Sequence, residues 1–324
     1  MSTSLITVFG GTGFLGRHVV RALAKAGHRL RVAVRYPNEG YFLPSMGHVG
    51  QIALARCDVR EPAEVAAALA GAQAAVNLTG ILQEGGGQSF GAIHCEAAGM
   101  IAKAARAAGA RILVQVSAIG ADKDSASDYA ATKGEGEARV RAAFPEAAIV
   151  RPSLVFGPED NFFNRFAALA RILPALPLIG GGNTRFQPVF VGDVAWAIKR
   201  LVEDPALGGA TYELGGPTVY TFRELMQIIL HESGRARPLV PVPFAIATLM
   251  ATFLQFLPNP LLTPDQVTLL KSDNVVTDVD GLAALGIVPT SVEAELPAYL
   301  WRFRPKGQYD ELTRDRLSES RAPR

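Results

Sequence analysis

The sequence predicts an α/β chain: a doubly wound parallel sheet, then a smaller C-terminal α/β lobe and an extended C-terminal tail. Three observations lead there. Short apolar runs alternate with helical patterns from Leu5 to Val116, the order that builds a parallel sheet. The first run, Leu5 to Phe9, passes through a turn with Gly10, Gly11, Gly13 and Gly16 into a helical pattern from Phe14 to Ala26. Strand, glycine turn and helix N-terminus in that order are the arrangement of a Rossmann-type dinucleotide-binding unit. Beyond Gly157 the alternation becomes irregular, with a proline- and glycine-rich passage from Pro174 to Gly182.

Composition narrows the classes. With 324 residues, 49% of them apolar, the chain can bury a large core. The 32 basic and 30 acidic side chains leave a net charge of +2, and nothing points to nucleic acid. Cys57 and Cys95 lie in different units of the pattern, which suggests a reducing compartment and no disulfide framework. Five histidines are scattered without ligand spacing, so no metal is assigned. Met1 to Ser4 lead straight into the first strand, where an organellar transit peptide would be longer, basic and amphipathic. For a full precursor the expected setting is therefore bacterial cytoplasm or its membrane face.

In the glycine turn, Gly10 lets the chain reverse, Gly13 lets the backbone approach a pyrophosphate, and Gly16 lets helix and strand pack closely. Thr12, Phe14 and Leu15 share this turn and the helix start, whose free N–H groups face the anion. A second strand, His28 to Val34, ends at Arg35, about 20 positions beyond the loop, where the adenosine ribose is met. An acid there favours NAD and an arginine accommodates the extra phosphate of NADP; with no acid before Glu39, the expected cofactor is NADPH. An ordinary surface arginine is the alternative.

A third strand, Gln51 to Ala55, leads to Cys57, Asp58 and Val59, where an acid followed by an apolar residue would hold the adenine amino group. A helix, Ala63 to Leu69, and a fourth strand, Ala74 to Leu78, follow; the small residues after Asn77, Leu78, Thr79 and Gly80, leave room for the cofactor backbone. Gln83 to Gly91 reads as a flexible loop, and a helix from His94 to Ala108 precedes the fifth strand, Arg111 to Val116, which ends at Ser117.

Tyr129 and Lys133, four apart at the start of a helical pattern, share one face. An ammonium beside a phenol favours phenolate and lowers its pKa, while Ser117 would hydrogen-bond a substrate oxygen. Such a pair also arises on solvated helix faces; its place after the fifth strand of a glycine-loop domain argues for function.

The glycine loop GGTGFLG, the strand end NLTG, Ser117, the YAATK around Tyr129 and Lys133, and RPSLVFGP from Arg151 to Pro158 resemble the extended, atypical branch of the short-chain dehydrogenase/reductases. The resemblance implies that Tyr129 and Lys133 contact the nicotinamide ribose and that the backbone from Pro152 through Ser153 to Val155 meets the carboxamide. It also implies a small C-terminal lobe, entered through Pro188 to Ala195. Tyr129 stands only 12 positions after Ser117, a shorter loop than in typical sugar-nucleotide epimerases, which speaks against epimerase chemistry.

The expected division is a dinucleotide-binding domain over 1–157, with 186–214 returning to it, a lobe over 158–185 and 215–300, and a tail over 301–324. The lobe pattern gives a helix from Phe162 to Ile172, a strand from Arg185 to Phe190, a helix from Val194 to Val202, a strand around Ala210 to Leu214 and a helix from Phe222 to Ser233. Arg185 is either a phosphate ligand or half of a structural ion pair. Leu239 to Leu262 holds no charge, and its helix, Phe244 to Leu257, is bracketed by Pro241, Pro243, Pro258 and Pro260. About 20 apolar residues are needed to span a bilayer, so this is a buried core helix or a face that docks on a membrane surface or a hydrophobic protein.

The ending, with Lys271, Asp273, Asn274 and Val275 and then Gly286, Pro289 and Tyr299, resembles the nucleotide-binding accessory subunits of respiratory complex I, the NADH:ubiquinone oxidoreductase, from the glycine loop to about Tyr309. Asp310 to Arg324, with four arginines and four acids, reads as an arm reaching a partner. The resemblance implies an accessory subunit that holds NADPH without turnover, docked near the quinone site with other complex I subunits as partners. Its place would be the cytoplasmic side of a bacterial inner membrane, as a peripheral protein. A free NADPH-dependent reductase or isomerase acting on a small carbonyl, with Ser117, Tyr129 and Lys133 as its catalytic set, is the alternative. A regulator sensing the NADP(H) ratio is a third reading, weakened by the Tyr/Lys pair.

Overall fold

The computed structural model describes residues 4–256, 260, 262–277 and 281–307. Along the chain come β1 (Leu5–Phe9), α1 (Phe14–Lys25), β2 (Arg29–Val34), β3 (Ile52–Arg56), α2 (Pro62–Leu69), β4 (Ala74–Asn77), α3 (Ala98–Ala107), β5 (Ile112–Val116), α4 (Asp128–Ala143), β6 (Ala148–Pro152) and β7 (Val155–Phe156). Then follow α5 (Phe163–Ile172), β8 (Leu176–Ile179), β9 (Arg185–Phe186), β10 (Val189–Phe190), α6 (Val191–Glu203), β11 (Thr211–Leu214), β12 (Tyr220–Thr221), α7 (Phe222–Glu232), β13 (Leu239–Val242), α8 (Phe244–Leu254), α9 (Pro264–Leu269), α10 (Gly281–Ala284) and α11 (Val292–Leu300).

The described residues fall into two compact units, the first within Met1–Leu154, Val191–Gly215 and Asn274–Pro289, the second within Val155–Phe190, Gly216–Asp273 and Thr290–Arg324. The first unit holds a seven-stranded parallel sheet in the order β11-β6-β5-β4-β1-β2-β3. Val8 of β1 pairs with Val32 on one side and Val76 on the other. Being covered on both faces, β1 is apolar almost throughout, and Ile6, Val8 and Phe9 are fully buried. Strand order reverses between β1 and β4, and in open α/β sheets the crevice at that point receives ligands. Phe9, Leu69, Ile101, Leu113, Phe144 and Ile149 anchor one core cluster of this unit, each side chain contributing about 1.5–3 kcal/mol by leaving water.

Residues 274–277 and 281–289, placed with the lobe by the sequence pattern, fall in the first unit. Gly281 allows it: a Cβ there would meet the Glu213 carbonyl oxygen at 2.7 Å, so α10 lies directly on β11. The helix expected from His94 begins earlier, as a π-helical turn over Gly91–Ala97.

In the second unit the expected strand from Arg185 to Phe190 is two, β9 pairing with β12 and β10 with β7. Pro188 between them has no N–H for a continuous ladder. Asp160 ties this unit together, accepting from the N–H groups of Gly157, Phe162 and Asn164 and from the Tyr299 hydroxyl at 2.7 Å. The apolar stretch begins as β13, parallel to β8, and continues as α8. This helix is not a core helix. Only Ala247 and Ala251 are buried, whereas Ile246, Leu249, Met250 and Phe253, with Phe256 beyond its end, are 47–81% exposed. Leu257 lies outside the described residues, as does the arm from Asp310 to Arg324. The start of the expected tail is not extended: Arg304 is buried and donates to the carbonyl oxygen of Glu232 at 2.8 Å.

Candidate functional site

The glycine turn shows which glycines the fold needs and which it does not. Gly10 has φ +75°, and a Cβ there would stand 3.0 Å from the Leu78 backbone. A Cβ on Gly16 would run into the carbonyl oxygen of Gly10. Gly13 is different. Its φ of −69° suits any residue, and a Cβ would meet nothing nearer than the Gly10 oxygen at 3.4 Å. The protein itself does not require glycine at 13, so its absent side chain leaves space for something outside the chain. There α1 begins with no capping side chain and no acid in its first turn, leaving the N–H groups of Phe14 and Leu15 without helical acceptors. Thr12, half-buried, supplies a carbonyl oxygen to Arg17, which sequence reasoning missed; its guanidinium also lies 5.1 Å from the centre of the Phe42 ring.

At the ends of β2 and β3, Arg35 lies over the Tyr36 ring at 4.9 Å. Asp58 arrives beside it, but both of its carboxylate oxygens accept from Arg60, at 2.9 and 2.6 Å, and these bonds, helped by the charges of Arg60 and Arg35, hold its pKa down to about 2. The acid expected at the adenine is thus paired with Arg60, which also donates to the Gly87 carbonyl oxygen at 2.8 Å, tying the 83–91 loop to β3. Val59 packs against the core. At the end of β4, Asn77 accepts from the N–H and hydroxyl of Thr79 at 3.1 and 2.6 Å and so shapes the Leu78–Thr79–Gly80 turn. A Cβ on Gly80 would stand 3.1 Å from the ammonium of Lys133.

Tyr129 and Lys133 lie together at the start of α4, and Lys133 reaches the end of β5 at Val116, the residue before Ser117. Hydrogen bonding of Ser117 N–H to the Val150 oxygen at 2.7 Å sets the β5 end beside β6. The Ser117 hydroxyl is buried without a hydrogen-bond partner, a cost of about 1–3 kcal/mol that a ligand oxygen would relieve. Lys133 is buried, its ammonium 3.5 Å from the Val116 oxygen and 5.9 Å from the centre of the Tyr129 ring. Desolvation pushes its pKa down to about 8, against the opposing charge of Glu137. His94 completes the cluster and was not singled out from the sequence. Its ring stacks on Phe90 and meets Tyr129 edge-on at 5.3 Å. Nε2 accepts from the Ile81 N–H at 3.1 Å, which leaves Nδ1 to donate to Thr132. Burial and the charge of Lys133 push its pKa down to about 3, so it is neutral. The π-helical turn carries it, pressed on α4 where Gly136 leaves room for the His94 carbonyl.

Pro152 and Ser153 close β6 next to Ser117, Pro152 accepting from the Ile119 N–H at 3.2 Å. The Ser153 side chain turns to Asn274 and its N–H donates to the Leu214 oxygen at 2.9 Å. Val155 lies in β7, in the second unit. Arg185 forms the structural pair: its backbone N–H, Nε and Nη2 all engage Asp273, at 2.7–2.8 Å. Among the described residues no group of three or more His, Cys, Asp or Glu is placed to hold a metal ion.

An anion-ready helix start, a basic adenosine end and a Tyr/Lys pair beside an orphaned buried hydroxyl fit a dinucleotide along the C-terminal strand edge. Similarities to known proteins agree. The model of the NAD dependent epimerase/dehydratase family matches residues 6–215. The "NADH dehydrogenase [ubiquinone] 1 alpha subcomplex subunit 9, mitochondrial" of Arabidopsis thaliana is 36% identical, over 95% of this chain and 80% of its own length. A ceramide reductase of Caulobacter vibrioides is 34% identical over 74% of each chain. A dTDP-glucose 4,6-dehydratase of Streptomyces venezuelae, solved with NAD bound, has the same fold, with a TM-score of 0.72 at 20% identity over 95% of this chain and 99% of its own.

Proposed function

We infer the function from a premise of membership: the chain belongs to the NAD dependent epimerase/dehydratase family and, within it, to the family of complex I alpha subcomplex subunit 9. The function supported best is that of an accessory subunit of a respiratory NADH:ubiquinone oxidoreductase, holding NADPH without turning it over. The observation that carries this is the reach of the similarity, 95% of the chain, which takes in the second unit as well as the dinucleotide-binding one.

The glycine turn and the start of α1 would hold the pyrophosphate, Arg35 the 2′-phosphate, Tyr129 and Lys133 the nicotinamide ribose, and the backbone at Pro152 and Ser153 the carboxamide. When bound, a reduced nicotinamide supplies a hydride; in this reading the nucleotide acts through binding alone, stabilising the folded subunit by mass action. The exposed apolar face of α8 supports docking on a membrane surface or on other subunits at the membrane junction. The setting proposed with it is the cytoplasmic side of a bacterial inner membrane, with which two free, buried cysteines agree. Among the described residues no helix is long and apolar enough to cross a membrane.

A second reading, an NADPH-dependent carbonyl reductase, is favoured by the intact Ser117, Tyr129 and Lys133 cluster and by the ceramide reductase similarity. There Tyr129 would give a proton to the carbonyl oxygen, with Lys133 lowering its pKa and Ser117 orienting the substrate. Native-gel fractionation of detergent-solubilised membranes, with nucleotide identified in each band, separates the two. Co-migration with a large NADH-oxidising assembly, carrying stoichiometric NADPH that added carbonyls do not oxidise, is expected. A small free species whose NADPH is oxidised by a carbonyl substrate, and not in Tyr129→Phe, would replace the first reading by the second.

A further inference from the structure

The segment that follows Asp273, singled out in the sequence but given no task so far, ends on the strands that close the nicotinamide side of the site. Ser153 directs its hydroxyl at Asn274, 2.9 Å from its main-chain oxygen and 2.7 Å from Oδ1. On the neighbouring strand β11, one oxygen of Glu213 accepts from the N–H and the hydroxyl of Thr277, at 2.9 and 3.0 Å. The other oxygen lies 3.6 Å from Arg151 of β6, which Glu137 holds through two bonds of 2.9 and 2.7 Å. Glu137 is one helical turn beyond Lys133, and its charge opposes the desolvation of that ammonium. Thr277 is therefore joined through Glu213 and Arg151 to Glu137, whose charge acts on Lys133, and Ser153, Glu137 and Glu213 are almost wholly buried, 5–8% exposed. Loss of the Asn274 side chain would take from the Ser153 hydroxyl the nearer of its two acceptors. Loss of the Thr277 hydroxyl would take from Glu213 one of the two donors on that oxygen, its other oxygen having only the longer contact to an arginine already committed to Glu137. Buried groups of this kind are costly to leave unpaired.

We propose that residues 274–277 are a strap that fixes the β6 end of the dinucleotide site, with Asn274 a positioning residue acting through Ser153 and Thr277 one acting through Glu213. The proposal rests on the reading that this strand end and Lys133 receive the nicotinamide half of the cofactor. Sheet order confines its effect: the strap is on β6 and β11, on one side of the reversal between β1 and β4, whereas Arg35 and Arg60 are at the ends of β2 and β3 on the other. A ligand with a nicotinamide feels the strap; one consisting of the adenosine half alone does not.

The experiment is equilibrium binding of NADPH and of 2′,5′-ADP to the full chain as wild type, Asn274→Leu, Asn274→Asp and Thr277→Val. Asn274→Leu and Thr277→Val each weaken NADPH about fivefold to tenfold and blunt the fluorescence change of the bound reduced nicotinamide. Binding of 2′,5′-ADP stays as in wild type and certifies the fold, and Asn274→Asp, which keeps an acceptor oxygen, restores NADPH binding. Equal weakening of both ligands, or of neither, overturns the strap while leaving the dinucleotide reading intact. A wild-type chain that binds neither ligand overturns the dinucleotide reading and the strap with it.

Discussion

Lys133 holds its ammonium 5.9 Å from the centre of the Tyr129 ring, one helical turn away, with desolvation as the main influence on its charge. Its pKa of about 8 lies below the unfolded value of about 10.5. Between those values the unfolded chain binds a proton that the folded chain has released, so stability from this group rises with pH across that window and the cost is full below it. Lys133→Met is therefore more stable than wild type at pH 7, by up to about 3 kcal/mol. The gap should narrow as denaturant melts are repeated towards pH 10; a gap independent of pH would mean that the ammonium is not desolvated.

Gly13 and Gly16 should answer differently to one added methyl. Gly16→Ala forces a Cβ against the Gly10 carbonyl and should destabilise the fold by about 1–3 kcal/mol or more. Gly13→Ala should melt within about 0.5 kcal/mol of wild type and yet lose NADPH binding in titration calorimetry. A Gly13→Ala chain that binds normally would show that no pyrophosphate approaches there.

Arg35 distinguishes the two dinucleotides. Arg35→Asp should weaken NADPH by about tenfold or more, as loss of a charge-assisted phosphate contact does, and should leave NADH binding within a few-fold. Equal weakening of both would move the 2′-phosphate elsewhere, with Arg60 next to be tested.

The exposed face of α8 should be dispensable for folding. Leu249→Ser with Phe253→Ser, at side chains 61% and 71% exposed, should change stability by no more than about 1 kcal/mol and reduce the fraction of the chain recovered in the large membrane assembly. A loss of several kcal/mol with unchanged incorporation would make this a packing face.

The sheet was legible because most of its strands are short, largely apolar runs between turn residues: Leu5–Phe9 reads directly from LITVF. The glycine turn and the Tyr129/Lys133 pair were legible because spacing alone puts their members together. Arg60 and His94 were not, because their partners are set by tertiary contact: Arg60 with Gly87, His94 with Thr132 and Tyr129. The pairing of Asp58 was not legible either, because nothing in CDVR says that the arginine two positions on will fold back over it. For α8 the sequence left core helix and docking face both open, since Thr248 and Thr252 alone interrupt its apolar surface and give no clear polar side.

The way α8 is held has its own consequence. Within the second unit it is held by Ala247 and Ala251, which with Ile179 and Val267 make a satellite cluster of four buried residues, and by the half-buried ring of Phe244 packed against that cluster. A cluster of four residues and one ring buries little area, so this helix belongs at the low end of the local opening free energies of the chain. In the isolated subunit its amides would exchange with solvent long before those of β1 and β4. Seated on a partner, they would become among the slower ones, making the helix a reporter of assembly as well as a surface for it.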